Sequence, residues 1–294
     1  MKFKTLFIIN PISGGKSKEH LPEQILHTLD VQKFDPNFVF TNRVGHAAEL
    51  TEQAIRENYQ LVVGVGGDGT LNEIASKLVH AEIPLGIIPL GSGNGLARDL
   101  QVPMNFKQAV ECINRFQVEC IDVLKLNERF FFNMAGMGYD ALISEAFKYS
   151  RKRGFWEYLK LCIQKFRDFE PETYRLELDG KLVEQRAFLV SIANSSQYGN
   201  NIYISPNSSL RDGQMEIITV EPLNWRELVL LGILMAIKRT QKFPKWKAIS
   251  AQEVKIFRQT DGPIHLDGEP LRMAGTLHIQ LFSQALQVVG GKEI

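Results

Sequence analysis

Cysteine is scarce in this chain: there are only three, Cys112, Cys120 and Cys162, in 294 residues. Their number is odd and their spacing suits no metal site, so a disulfide framework is excluded and reduced thiols of a cytosolic protein are expected. Long apolar runs are also lacking. No stretch approaches the ~20 apolar residues that span a bilayer. The first apolar run, Leu6–Ile9, is too short for a secretory signal and suits a first buried strand, so a cytoplasmic protein is expected. Nor is there an excess of charge: 34 Lys+Arg against 33 Asp+Glu leave a formal +1, which gives no case for nucleic-acid binding. The six histidines show no ligand spacing, and none is assigned to metal or catalysis. There is no internal repeat and no low-complexity linker. What remains is an ordinary globular composition, 44% hydrophobic and 23% charged, with room for two domains.

The most informative stretch is Leu61–Ala75, LVVGVGGDGTLNEIA. Its β-branched start predicts a strand buried on both faces. It ends in Gly66-Gly67-Asp68-Gly69-Thr70, after which Leu71, Ile74, Ala75 and Leu78 fall at helical spacing. Glycines here let the backbone approach a ligand, and the N–H groups that open the helix would face an anion. Asp68 would repel phosphate unless a cation lay between them, so an acidic residue in this loop implies Mg²⁺. A plain strand–helix turn is the alternative.

Three further loops have the same character. Asn10-Pro11-Ile12-Ser13-Gly14 follows the strand Leu6–Ile9, Thr41 follows Phe38–Phe40, and Gly91-Ser92-Gly93-Asn94 follows Leu85–Ile88. Helices are expected at about 21–29, 46–58 and 106–116. Alternating strands and helices predict a doubly wound parallel sheet over residues 1–122, with all four loops on the edge where such sheets bind ligands. Beyond about Ile121 the pattern changes to an α+β, mostly antiparallel region over 123–282, and 283–294 could return to the first domain. In this second region Val118–Leu126 and Phe130–Ala135 read as a hairpin, followed by helices at about 140–149 and 156–169. Tyr174–Leu178 then meets an Asp179-Gly180 turn. Strands are expected at 187–194, 214–220, 254–258 and 276–281, with a helix at about 225–238.

Taken together, Asn10-Pro11…Ser13-Gly14, Gly66-Gly67-Asp68-Gly69-Thr70…Asn72-Glu73, Pro89…Gly91-Ser92-Gly93-Asn94…Ala97-Arg98 and Asp267-Gly268-Glu269 resemble the lipid kinases that include bacterial diacylglycerol kinases and eukaryotic sphingosine and ceramide kinases. The resemblance implies a phosphofructokinase-like nucleotide domain followed by a β-rich lipid-substrate domain. It implies ATP and Mg²⁺ as cofactors, with Asn10, Pro11, Ser13, Gly14, Thr41, Gly66, Gly67, Asp68, Gly69, Thr70, Asn72, Glu73, Ser92, Gly93 and Asn94 at the nucleotide. It makes Glu269 the catalytic base, although Asp68 itself is an alternative, and it sets Asp68 and Asp122 around the catalytic Mg²⁺. A structural Mg²⁺ is implied at Ser209, Asp212 and Gln214. Asp140 corresponds to an acidic residue with which sphingosine kinases bind substrate; a helix-opening acid complementing the dipole is the alternative. Asp267-Gly268-Glu269-Pro270 also reads as a surface turn. Gly95, where bacterial diacylglycerol kinases usually carry Asp, and Ser92 are closer to the sphingosine-kinase pattern. The acceptor is therefore diacylglycerol or a related lipid, or alternatively a sphingoid base or ceramide. A non-catalytic nucleotide- or lipid-binding regulator is the alternative of another class.

A lipid acceptor implies peripheral contact with the inner membrane surface. Leu228–Ile237 is apolar, and Lys238, Arg239, Lys242, Lys245 and Lys247 follow, flanked by Trp225, Phe243 and Trp246. Lys148, Arg151, Lys152 and Arg153 with Phe155 and Trp156 form a smaller cluster of the same kind. A core helix ending in cations is the alternative. Oligomeric state is left open, a homodimer included.

Overall fold

The computed structural model describes residues 2–15, 18–150, 155–178 and 180–291. The Arg151–Arg153 cluster and Asp179 of the expected turn therefore lie outside the described residues. The chain divides into two units, Met1–Val123 with Ser283–Ile294, and Leu124–Phe282.

The first unit alternates strands and helices: β1 (Phe3–Ile9), α1 (Leu21–Leu26), β2 (Phe34–Phe40), α2 (His46–Arg56), β3 (Leu61–Gly66), α3 (Asp68–Leu78), β4 (Leu85–Pro89), α4 (Gly95–Asp99), α5 (Phe106–Arg115) and the start of β5 (Val118–Leu126). Strands β1 to β4 pair in parallel in the order β2-β1-β3-β4. Every residue of β3 and β4 is buried, as near-continuous apolar runs in a covered parallel sheet require. The end of the last strand returns to this unit, where Val288 pairs with Leu85 in parallel.

The second unit contains β6 (Arg129–Phe131), β7 (Met134–Gly138), α6 (Tyr139–Lys148), α7 (Phe155–Phe166), β8 (Glu172–Leu178), β9 (Lys181–Ala187), β10 (Leu189–Ala193), β11 (Met215–Val220), α8 (Trp225–Ala236), β12 (Trp246–Ala251), β13 (Glu253–Phe257), β14 (Gly262–Leu266), β15 (Glu269–Met273) and most of β16 (Thr276–Val289). Six strands form an antiparallel sheet in the order β12-β11-β10-β7-β14-β15. Strands β16, β13, β8 and β9 pair antiparallel in a second layer. Apolar residues from both layers, among them Met137, Ile192, Ile217, Ile264, Tyr174, Leu176, Val254 and Ile279, form one buried cluster.

Three expectations are corrected. The hairpin after β5 ends at Phe131, and Met134–Gly138 leaves to join β10 and β14 in the other sheet. The chain breaks there because the N–H groups of Phe132, Asn133 and Met134 bond a side-chain carboxylate instead of a neighbouring strand. Strand β12 begins within the stretch read as a basic cluster, and β15 begins within the stretch read as a turn. Within the expected basic cluster, Lys245 and Lys247 are engaged inside the protein: they pair with Glu227 at 2.8 Å and Glu221 at 2.6 Å.

Candidate active site

In the order β2-β1-β3-β4 the chain leaves β1 towards one side of the sheet and β3 towards the other. The carboxyl ends of β1 and β3 are thus a topological switch point, where open α/β sheets bind ligands. Asn10 follows β1 and Gly67 follows β3. The Asn10 N–H donates to Val65 O at 3.0 Å, and Asn10 Nδ2 donates to Thr70 Oγ1 at 2.8 Å. These bonds tie the first loop to the second. Pro11 continues the first loop, and Ser13–Gly15 closes it in a single 3₁₀ turn.

The loop after β4 joins the same cluster. Leu90 N–H donates to Gly66 O at 2.7 Å. Gly91 packs so closely on the second loop that an added Cβ would lie 2.7 Å from Gly67 Cα, so only glycine fits. Asp68 fastens the two. Its Oδ2 accepts the Asn94 N–H and its Oδ1 the Gly95 N–H, each at 2.8 Å. Asn94 adopts φ 51°, returns Nδ2 to Gly91 O at 2.8 Å and accepts Gly91 N–H at 3.1 Å. Arg98 Nε braces the loop at Gly93 O, 3.0 Å away. Burial raises the Asp68 pKa, against the lowering pull of the Asn94 and Gly95 N–H groups and of Arg98.

Helix α3 opens with no side-chain cap on its N-cap residue, Gly67. Its leading N–H groups and dipole form the kind of terminus that receives an oxyanion. In its first turn, a Cβ added at Gly69 would meet nothing within 4 Å. This arrangement fits a phosphate: helix-opening N–H groups without a side-chain cap, an open position at Gly69, and loops held in place by Asn10 and Asp68.

Other expected nucleotide residues have different placements. Thr41 is buried at the end of β2, with its N–H donating to Ile9 O at 2.9 Å. Ser92 is exposed on its loop. Asn72 Oδ1 accepts from Ser76 Oγ at 3.3 Å. The Glu73 carboxylate caps α2, accepting Gly45 N–H at 2.8 Å and Ala47 N–H at 3.1 Å. Asp122 is buried, and its Oδ1 accepts Gln284 N–H at 2.8 Å and Ser283 Oγ at 3.1 Å. Gln284 has φ 51°, so the carboxylate secures a left-handed residue within β16. Among the described residues no three His, Cys, Asp or Glu side chains gather as a metal site. A Mg²⁺ ion here would draw on one or two carboxylates, completed by phosphate oxygens and water, as is usual for this ion.

In the second unit, Asp267 and Gly268 have φ 49° and 83° and form a two-residue turn that pairs Leu266 with Glu269 across β14 and β15. The turn reading of this motif is therefore correct for Asp267-Gly268, while Glu269 opens a strand. Asp267 accepts N–H groups from Phe132, Asn133 and Met134 at 2.9, 2.8 and 3.0 Å. Ser144 Oγ donates to Gly268 O at 2.8 Å. Glu269 is exposed, and among the described residues its carboxylate has no partner.

Asp140 opens α6 and is buried. Its Oδ2 accepts from Tyr198 Oη at 2.9 Å and lies 3.3 Å from His265 Nε2. His265 is buried, with Nδ1 lacking a partner among the described residues. A Cβ at Gly136 would lie 2.1 Å from Asp140 Oδ2, so glycine makes room for this cluster. Neither His265 nor Tyr198 was legible as part of a site, because a lone histidine within Pro263–Leu266 carries no spacing signal. Ser209, Asp212 and Gln214 share one tight loop, in which Asp212 Oδ1 accepts Gln214 N–H at 3.1 Å and Ser209 Oγ accepts Arg211 N–H at 3.3 Å.

Comparison with known proteins matches residues 4–126 to the diacylglycerol kinase catalytic domain and residues 133–290 to the YegS C-terminal NAD kinase beta sandwich-like domain. Diacylglycerol kinases of Staphylococcus aureus strains bovine RF122 / ET3-1 and MRSA252 are each 29% identical over 276 residues, covering 92% of this chain and 87% of the relative. A crystal structure of a diacylglycerol kinase from Bacillus anthracis str. Sterne superposes with a TM-score of 0.75 at 22% identity, covering 98% of this chain and 97% of that one. That likeness is one of fold.

Proposed function

The chain belongs to the diacylglycerol kinase family and is a kinase, and from that premise we infer that it transfers the γ-phosphoryl group of ATP to a hydroxyl of diacylglycerol or a related lipid. The observation that carries this reading is the joining of three loops at the β1/β3 switch point by Asn10 and Asp68. Phosphoryl transfer asks a protein mainly for positioning and charge stabilisation. The N–H groups opening α3, with Gly66–Thr70, receive phosphate oxygens. Mg²⁺, when bound, supplies charge neutralisation, with Asp68 and Asp122 as its carboxylates and a second, structural ion assigned to Ser209, Asp212 and Gln214.

Glu269 accepts the proton of the attacking hydroxyl. The choice of Glu269 over Asp68 rests on availability: both Asp68 oxygens already accept backbone N–H groups, whereas the Glu269 carboxylate is unengaged among the described residues and exposed. Asp140 faces the acceptor, oriented by Tyr198 and His265. A buried carboxylate of this kind also suits the ammonium of a sphingoid base, and this favours a second reading of the acceptor.

The test is transfer from labelled ATP, with Mg²⁺, to diacylglycerol, monoacylglycerol, sphingosine and ceramide in mixed micelles. A labelled diacylglycerol product is expected to dominate. Label on sphingosine alone would select the second reading, and label on no lipid, in a protein shown to bind ATP, would overturn both.

A further inference from the structure

Beyond its first turn, which carries Arg226 and Glu227, helix α8 is apolar around its whole circumference, yet only one side of it is covered. Leu231 is buried, and Leu228, Leu234 and Met235 pack on the core formed by Ile204, Ile218, Val220 and Phe243. Trp225, Val229, Leu230, Ile233 and Ile237 face outward, with Trp225 64% exposed and Val229, Ile233 and Ile237 each 53% exposed. At about 100° per residue these outward positions, with Gly232 and Ala236, sweep an arc of roughly 160°. Arg226 is the one charge within it. A helix apolar all round is ordinarily enclosed, and a contiguous exposed apolar face marks an interaction surface.

Charge identifies what it meets. Past the end of α8, Lys238, Arg239 and Lys242 are exposed, and among the described residues Arg239 and Lys242 form no salt bridge. Lys238 lies over the Tyr203 ring at 4.1 Å. The neighbouring acids are already used: Glu227 pairs with Lys245 and completes the Asn224 capping box, and Glu221 pairs with Lys247. The surface therefore presents an apolar stripe beside uncompensated cations. A second copy packed face to face would set Arg239 and Lys242 against the same cations, since Glu221 and Glu227 of this face are already paired. An anionic bilayer offers both acyl chains and negative headgroups, the combination that in-plane amphipathic helices use.

We propose that the outward face of α8, with Arg239 and Lys242, docks the protein on an anionic lipid bilayer, the helix lying in the interface with Trp225, Val229 and Ile233 inserted. At 12 residues the helix is about 18 Å long, and among the described residues no helix is long and apolar enough to cross a membrane. The inference rests on the lipid-kinase reading for the identity of the surface, and it names where that kinase meets its substrate's phase.

The test is flotation with vesicles of phosphatidylcholine containing 30% phosphatidylglycerol, without ATP or acceptor, set against pure phosphatidylcholine vesicles. The wild-type chain is expected to float with the anionic vesicles. The pair Arg239→Glu with Lys242→Glu is expected to weaken partition on the order of thirtyfold, from the worth of two surface cations. Val229→Asp with Ile233→Asp is expected to abolish it. Both pairs change exposed positions, so an unchanged melting temperature is expected and serves as the control. Quenching of tryptophan fluorescence by brominated lipid, lost in Trp225→Phe, is the second readout. Equal flotation of all variants, or no flotation of wild type, overturns the proposal. So does a dimer that Val229→Asp with Ile233→Asp converts to monomer while flotation persists, since a second copy then occupies the face. Phosphorylation of a water-soluble short-chain diacylglycerol separates the two levels: flotation without any kinase activity upholds the surface and fails the functional reading.

Discussion

Replacing Glu269 with Gln lowers kcat by about two to four orders of magnitude, the usual contribution of a positioned general base, and leaves both the melting temperature and the ATP affinity unchanged. The selectivity follows from the residue's placement. Glu269 is exposed at the first position of β15, buries nothing and, among the described residues, bonds nothing, so the amide costs the fold nothing. Asn and Gln are near-isosteres of the acids, and what is lost is the capacity to take a proton. Steady-state transfer to micellar diacylglycerol, with ATP binding by calorimetry, checks both halves. A variant that retains wild-type turnover would move the base to another group, Asp68 first.

Asp267→Ala is expected to have the largest effect on stability. Three N–H groups, of Phe132, Asn133 and Met134, lose their acceptor, at about 1–3 kcal/mol for each donor left buried and unsatisfied. The backbone at Asp267 has φ 49°, and a non-glycine residue without a short polar side chain adds about 1–2 kcal/mol there. A loss of at least ~3 kcal/mol lowers the melting temperature by roughly 10 °C for a chain of this size. Turnover falls as well, since the anchored turn sets the position of Glu269. Asp267→Asn tolerates the left-handed backbone but turns amide hydrogens towards N–H donors, so it falls between wild type and Ala. An unchanged melting temperature in Asp267→Ala would show that the three bonds do not hold the turn.

Much of this was legible in the sequence where the signal is local. The buried strands Leu61–Gly66 and Leu85–Pro89 announce their own ends, and the first unit's parallel pairing, though not its strand order, follows from the alternation of strands and helices. The glycine-rich loops are readable because each follows a buried strand at the carboxyl edge of the sheet. The failures share one cause, a partner distant in sequence. Phe130–Ala135 reads as one strand because nothing nearby reveals that Asp267, more than 130 residues later, will take its N–H groups. Glu73 reads as a nucleotide contact, but its carboxylate caps a helix that begins 27 residues earlier, at His46. Lys245 and Lys247 read as part of a docking cluster, because Glu227 and Glu221, 18 and 26 residues away, meet them only in the fold. Strands β14 and β15 are short and contain Pro263 and Pro270, which weakens their pattern. Asp140, Tyr198 and His265 meet only because β7, β10 and β14 bring distant segments side by side.

The Gly66–Thr70 loop and the start of α3 are the proposed seat of the nucleotide phosphates, and ATP binding to Gly69→Val by calorimetry tests this most directly. The position is suited to the purpose because a Cβ at Gly69 meets no protein atom within 4 Å, so the fold admits a side chain there and the melting temperature stays at or slightly above wild type. The space it fills is the space assigned to phosphate oxygens. A fall in ATP affinity of at least about tenfold, roughly the 1.4 kcal/mol that a single displaced contact represents, is the result predicted. ATP bound by Gly69→Val as tightly as by wild type would contradict the account and place the nucleotide elsewhere.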